Sequence, residues 1–221
     1  MVGGNGDERT ERVRIPPFHL EGTLGLPGRQ ADGLVLFVHG SGSSRFSPPI
    51  TYVASALRQA GLATLLFDLL SESEAEDQAN VFDIDLLAGR LVAATAWAQS
   101  AETTRTLPLG YFGASTGAAA ALAAAARLGE AIGAIVSRGG RPDLAGEALP
   151  RVKAPTLLIV GSLDALALAV NRAALRVLRC EGMIEVVPGA TDLFEEPGAI
   201  EAVVGLARRW FLGHLIMQAH G

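Results

Sequence analysis

Residues 107–128 read LPLGYFGASTGAAAALAAAARL. The first six form a short apolar run, as a buried strand does. The last eleven, AAAALAAAARL, are strong helix formers. Between them lies Gly113-Ala114-Ser115-Thr116-Gly117. The pattern G-x-S-x-G is weak by itself in a chain with 26 glycines. Its setting is informative, because strand, tight turn and helix together lift a serine hydroxyl above the edge of a sheet. Gly113 and Gly117 leave room there for the neighbouring strand and helix backbones. Ser115 is therefore the candidate nucleophile, and the chain around it should be α/β.

The same alternation runs through the rest of the chain. Short apolar runs at 12–18, 20–26, 34–39, 62–68, 132–137, 156–161 and 183–187 predict strands, and 107–112 makes eight. Several are continuously apolar, as strands covered on both faces are. Patterns at 49–60, 82–100, 116–128, 165–179 and 198–215 predict helices. On the last of these Trp210, Phe211 and Leu215 share a face that should pack in the core. Such alternation implies a mostly parallel sheet with helices on both faces, one α/β domain over 12–221. The first two strands follow each other without a helix and should form an antiparallel edge. Residues 1–11 should be a disordered tail, and SESEAEDQAN (71–80) a solvated loop.

Bulk properties exclude several function classes. The net charge of −5 offers no basic stripe to neutralise phosphates, so nucleic acid is not the expected partner. Charged residues make up 19% and apolar ones 49%, with mean hydropathy +0.33, which suits one large core. No apolar run reaches the roughly 18 residues that span a bilayer, so no membrane role is expected. The N-terminal residues lack the apolar stretch of a secretory signal. Cys180 is the only cysteine and can form no internal disulfide. A cytoplasmic protein is the expectation.

A serine that attacks a carbonyl needs two backbone N–H groups aimed at the developing oxyanion. Thr116 N–H, at the start of the helix after Ser115, is one. The second should follow an earlier strand, where LVLFVHGSGSSRFSPP (34–49) runs into a Gly/Ser loop, and Ser41 N–H is the natural donor. That loop lacks the GK[ST] ending of a phosphate-binding loop and the third glycine of a dinucleotide fingerprint.

With strand–HGSGSS, strand–GASTG–helix and a later GSLD in place, the chain resembles the α/β-hydrolase superfamily, over about residues 12–215. It is most similar to the small, capless dienelactone-hydrolase-like serine esterases. The resemblance implies a three-layer sandwich of about eight strands, no cofactor and no resident metal. Its substrate would be a small-molecule carboxylic ester or lactone. In the family order of nucleophile, acid and histidine, TLLIVGSLD puts Asp164 as the acid, 49 residues after Ser115. The histidine should follow the last strand, but there the chain reads MIEVVPGATDLFEEPG, with Asp192 in its place.

None of the four histidines is an obvious substitute. His19 falls in an edge strand, His214 late in the last helix and His220 at the end of the chain. His39 stands at the mouth of the oxyanion loop, where bracing that loop is its expected role. Asp192 is a poor base, since proton acceptance by an ordinary carboxylate is roughly 3.5 kcal/mol less favourable than by imidazole. Facing Asp164 across the site would raise one of the two carboxyl pKa values. Ser115, Asp164 and Asp192 also make too thin a set of oxygens to hold a divalent cation. Two origins stay open, a His→Asp replacement in an active esterase and a relative whose chemistry has changed. The alternative to catalysis is a small-molecule-binding protein on the same scaffold. Arg45, Arg138 and Arg141 lie where they could hold an acidic group, or pair with neighbouring carboxylates such as Asp143 and Glu147. The connection 138–155 is too short for a helical lid, so the site should be open.

Overall fold

In the computed structural model residues 8–40 and 44–218 are described. The strands are β1 (Arg9–Ile15), β2 (Leu20–Leu26), β3 (Leu34–Val38), β4 (Ala63–Phe67), β5 (Leu109–Ala114), β6 (Ile132–Arg138), β7 (Thr156–Gly161) and β8 (Gly182–Val187). They form one sheet in the order β1-β2-β4-β3-β5-β6-β7-β8. β1 and β2 run antiparallel, β2 meets β4 antiparallel, and all later pairs are parallel. Every residue of β3, β4, β5 and β7 is buried, as continuous apolar runs predict for strands covered on both faces.

The helices are α1 (Pro48–Gln59), α2 (Glu72–Ala75), α3 (Gln78–Phe82), α4 (Ile84–Ser100), α5 (Thr116–Leu128), α6 (Ala165–Val177) and α7 (Ala199–Gln218). Two apolar clusters, one on each face of the sheet, make up the core. α4 and α5 cover one face through Leu87, Leu91 and the run Ala119–Ala125. α1 and α7 cover the other through Ile50, Val53, Leu57 and Val203, with Trp210, Phe211 and Leu215 buried as their spacing predicts. This is the expected three-layer α/β-hydrolase sandwich. The connection after β6 is a 3-10 helical stretch (Pro142–Arg151) packed on α5 and α6.

Three expectations need correction. β1 begins at Arg9 and not at residue 12, because Arg9, Thr10 and Glu11 pair with Leu26, Gly25 and Leu24 of β2. The same strand stops at Ile15, because the two prolines that follow have no N–H for the ladder. Pro16–His19 turn back toward Leu20 instead, with His19 at φ 54, so His19 is a turn residue and not a strand residue.

The third correction concerns 71–80, which is exposed as expected but helical and not a loop. Two of its polar residues, Ser71 and Asp77, are helix caps. Ser71 accepts from Glu74 N–H while Glu74 accepts from Ser71 N–H, a reciprocal capping box at α2. Asp77 caps α3 and Asp83 caps α4. Glu74 also receives both Arg90 Nη atoms at 2.8 and 2.5 Å, and Arg90 Nη1 reaches Leu69 O at 2.7 Å. Low hydrophobicity hid a segment anchored by capping and one ion pair.

Those hydrogen bonds, first that from Arg90, hold the Glu74 carboxyl down at about 2. A depressed carboxyl stabilises the fold fully above its ordinary value near 4.5, and that contribution fades as pH falls toward 2. With the Glu74 side chain 37% exposed, solvent screening limits the pair to about 1 kcal/mol. Glu74→Gln should therefore lower stability by about 1 kcal/mol at pH 7. Denaturant titrations should show the two proteins converging between about pH 4.5 and 2.

Candidate active site

The turn from β5 into α5 holds Ser115, the one residue between them, in a conformation that side chains avoid, φ 54 and ψ −128. Its neighbours Ala114 and Thr116 are buried, and Ser115 itself is exposed. The turn is possible because a glycine follows. A Cβ at Gly117 would lie 2.2 Å from Val38 O of β3. Thr116 N–H opens α5, where the first-turn N–H groups have no intrahelical acceptor. The elbow is tied to the next strand connection by Arg141 N–H, which donates to Ser115 O at 3.1 Å.

Asp164 and Asp192 come from neighbouring loops at the same end of the sheet. Asp164 follows β7 and caps α6, its Oδ1 accepting from Ala167 N–H at 2.9 Å. The loop after β8 is fastened to it, with Leu163 N–H donating to Ala190 O at 3.0 Å and Gly189 N–H to Ser162 Oγ at 2.8 Å. Phe194, at φ 57, is buried, which leaves Asp192 and Leu193 exposed. Among the described residues no hydrogen bond joins Ser115 Oγ to either carboxylate.

The charge of Asp192 is felt at Arg138, and that of Asp164 at Arg141. Arg138 was a candidate substrate ligand, but it lies over the Phe194 ring at 5.2 Å and donates to Leu193 O at 3.2 Å. Burial pushes its guanidinium pKa down, and Asp192 pulls it back up. Arg141 is held by Asp143 at 2.7 Å. Arg45 donates to Asp68. Each of the three arginines thus has an internal partner, a carboxylate for Arg45 and Arg141 and the Leu193 carbonyl with the Phe194 ring for Arg138.

Asp68 is the residue that the sequence reading missed. It ends the continuous apolar run of β4, a lone carboxylate at the sheet edge where ligands bind, and that placement was its only signal. Its Oδ1 accepts from His39 Nε2–H at 2.8 Å and from Arg45 N–H at 2.9 Å. Burial raises the Asp68 carboxyl, but the hydrogen bonds from His39 and Arg45 outweigh it and hold the group below its usual value. His39 and Arg45 are thus tied to the same carboxylate, which suits the bracing role expected of His39. Ser41 and His220 lie outside the described residues. His214 is engaged on α7, with Nδ1–H on Trp210 O at 2.8 Å and Nε2 3.3 Å from Glu181.

A cavity of about 560 Å³ opens beside Gly40 and Thr116, between β2, the end of β4 and the α2–α4 segment. Among the described residues no group of three or more His, Cys, Asp or Glu is arranged to hold a metal ion. Among the described residues no helix is long and apolar enough to cross a membrane.

A dienelactone hydrolase from Anabaena variabilis superposes with TM-score 0.89 and 52% identity, covering 96% of this chain and all of that one. The chain belongs to the dienelactone hydrolase family of α/β hydrolases. Its identity to the esterase Est1E of Butyrivibrio proteoclasticus is 16%, with TM-score 0.76 and coverage of 91% and 98% of the two chains. A thermostable carboxyl esterase from Bacillus coagulans gives 15% and 0.73, covering 94% and 99%. These two share the fold. A curated protein of Mycobacterium tuberculosis, provisionally named a phosphoribosyl transferase, is 53% identical over 209 residues, 94% of this chain. The chain spans about half the length, 47%, of that relative. No protein-family model matches.

Asp68→Asn should weaken the charge-assisted bonds from His39 and Arg45 and leave a donor facing donors. A loss of about 2 kcal/mol is expected, with faster limited proteolysis within 39–47, while the far face at α1 and α7 keeps its amide-exchange protection. Equal proteolysis of both forms would remove Asp68 as the brace.

Proposed function

We propose that this hydrolase cleaves carboxylic esters or lactones through an acyl-enzyme on Ser115, slowed by Asp192 in the place of the base. The observation that carries the reading is Ser115 itself, exposed at φ 54 on a strand-to-helix elbow. Backbone strain of this kind is held only where the surrounding structure enforces it, and it clusters at reacting groups.

In the reaction the Ser115 oxygen attacks the carbonyl carbon, and the charge on the former carbonyl oxygen is met by Thr116 N–H and, in the proposal, Ser41 N–H. The serine proton must leave, and the departing alcohol must gain one. An imidazole does both, oriented by the acid, for which Asp164 is proposed. Asp192 can accept a proton only weakly, since an ordinary carboxylate is a far poorer base than imidazole. Loss of the triad base typically costs about 10⁶ in turnover, leaving about 10³–10⁴ over water from the oxyanion site. No cofactor enters this scheme, and a cytoplasmic location, resting on the single cysteine, completes the proposal.

Asp192 also favours a second reading, a small-molecule-binding protein that keeps the scaffold without turnover. Arg45, Arg138 and Arg141 are engaged internally, so they do not support an acidic ligand. The same engagement gives no support to phosphoribosyl transfer, the activity in the name of the longer mycobacterial relative, since a diphosphate would need free cationic groups.

Ser115→Ala and Asp192→His separate the readings when assayed with short p-nitrophenyl esters. Asp192→His should raise turnover by at least about 10³, and Ser115→Ala should abolish the gain. The Asp192 side chain is exposed, so its replacement by His should change stability by no more than about 0.5 kcal/mol. A folded Asp192→His protein without Ser115-dependent turnover would favour the binding reading.

A further inference from the structure

The cavity beside the elbow has a definite place in the proposed reaction. Along the sheet the order is β4, β3, β5, β6, β7, β8, so Ser115 at the end of β5 stands between two sides. Asp164 and Asp192 lie on the β7–β8 side, and the cavity lies on the β3–β4 side, reaching the elbow at Gly40 and Thr116. A Cβ on Gly40 would be 2.8 Å from Ser115 Cβ, so the cavity wall abuts the nucleophile directly. The alcohol that leaves an ester must take its proton from the base side. The acyl group, bonded to Ser115 with its oxygen over Thr116 N–H, is then directed to the opposite side.

The lining decides what that group can be. Phe18, Leu20, Leu69, Val81 and Leu87 supply an apolar wall. Four carboxylates, Glu21, Asp68, Glu72 and Glu74, face the cavity against a single arginine, Arg45. Arg45 is spent on Asp68, and Glu74 is matched by Arg90 from outside the lining. Glu21 has only a loose 3.7 Å contact with exposed Arg14, and Glu72 has no ion pair among the described residues. An incoming carboxylate would meet excess negative charge and, among the described lining residues, no unpaired arginine or lysine. A volume of about 560 Å³ falls within the usual range for small-molecule sites.

Resting on the hydrolase reading above, we infer that this cavity is the acyl subsite, and that it selects uncharged, apolar acyl groups and rejects carboxylate-bearing ones. A ketone pair that cannot be hydrolysed tests this without any turnover. Acetophenone stands for the neutral benzoyl group and 4-acetylbenzoate for the same group with a carboxylate. Binding to the whole chain is followed by amide shifts in heteronuclear NMR. Acetophenone should shift Gly40, Thr116 and Val81, with apparent affinity at least about tenfold above that of 4-acetylbenzoate. Ala75→Trp, at an exposed lining residue, should block the cavity and remove those shifts. Glu72→Lys should narrow the neutral-to-anion ratio several-fold.

Equal or tighter binding of 4-acetylbenzoate would overturn the selection. So would absence of acetophenone binding, or acetophenone shifts that survive Ala75→Trp in a folded protein. Failure of the hydrolase reading is seen separately, as the lack of Ser115-dependent turnover in the Asp192→His protein. A cavity that still binds the neutral ketone in that case is a ligand site and not an acyl subsite.

Discussion

The turn at Ser115 is the constraint on which the rest of this molecule depends. A serine at φ 54 is strained by of order 1–3 kcal/mol, and it persists only because β5, α5 and β3 leave no other course for the chain. Gly117 must pass within contact of Val38 O, so β3 and α5 are fixed against each other at this point. α5 can lie so close because its buried face is almost all alanine, from Ala118 to Ala125, with Leu122 the one large side chain. The alanine run therefore does two things. It favours helix, and it keeps the helix axis near the sheet so that the elbow can close.

From that turn outward, the site is built by loops that hold one another through backbone and not through catalytic side chains. Arg141 N–H grips Ser115 O, and Leu163 N–H grips Ala190 O. The charged groups are then engaged locally: Arg45 with Asp68, Arg141 with Asp143, and Arg138 with Leu193 O and the Phe194 ring. Pairing of this sort stabilises loops and leaves little net field for an anion. An exposed pair such as Arg141 with Asp143 is worth less than about 1 kcal/mol, whereas the half-buried Asp68 with three donors matters more.

The fold was legible in the sequence because its signals are local. β2 and β7 fall on the expected residues, as does α5, since apolar runs and alanine helices declare themselves without reference to neighbours. What was not legible depends on partners distant in the chain. The start of β1 at Arg9 is set by pairing with β2, and α2 is anchored by Arg90, sixteen residues beyond Glu74. Asp68 looks like any strand-terminal acid until His39 and Arg45 are folded against it. For the arginines the sequence left pairing and ligand binding open, because a side chain's partner is a tertiary fact. Ser115, Asp164 and Asp192 could be placed because strand order alone puts them at one edge.

Position 192 shows how chemistry and stability come apart in this fold. The loop after β8 is held by Phe194 in the core, by Arg138 on Leu193 O, and by main-chain bonds to the 162–163 turn. None of these uses the side chain of residue 192, which is exposed. The fold is therefore nearly indifferent to what stands there, whereas in the proposed reaction proton transfer is highly sensitive to it. A replacement at this position leaves the elbow strained, the loops fastened and the cavity shaped. The strain at Ser115 persists because the glycine and alanine packing that enforces it belongs to the core, which answers to stability and not to the reaction.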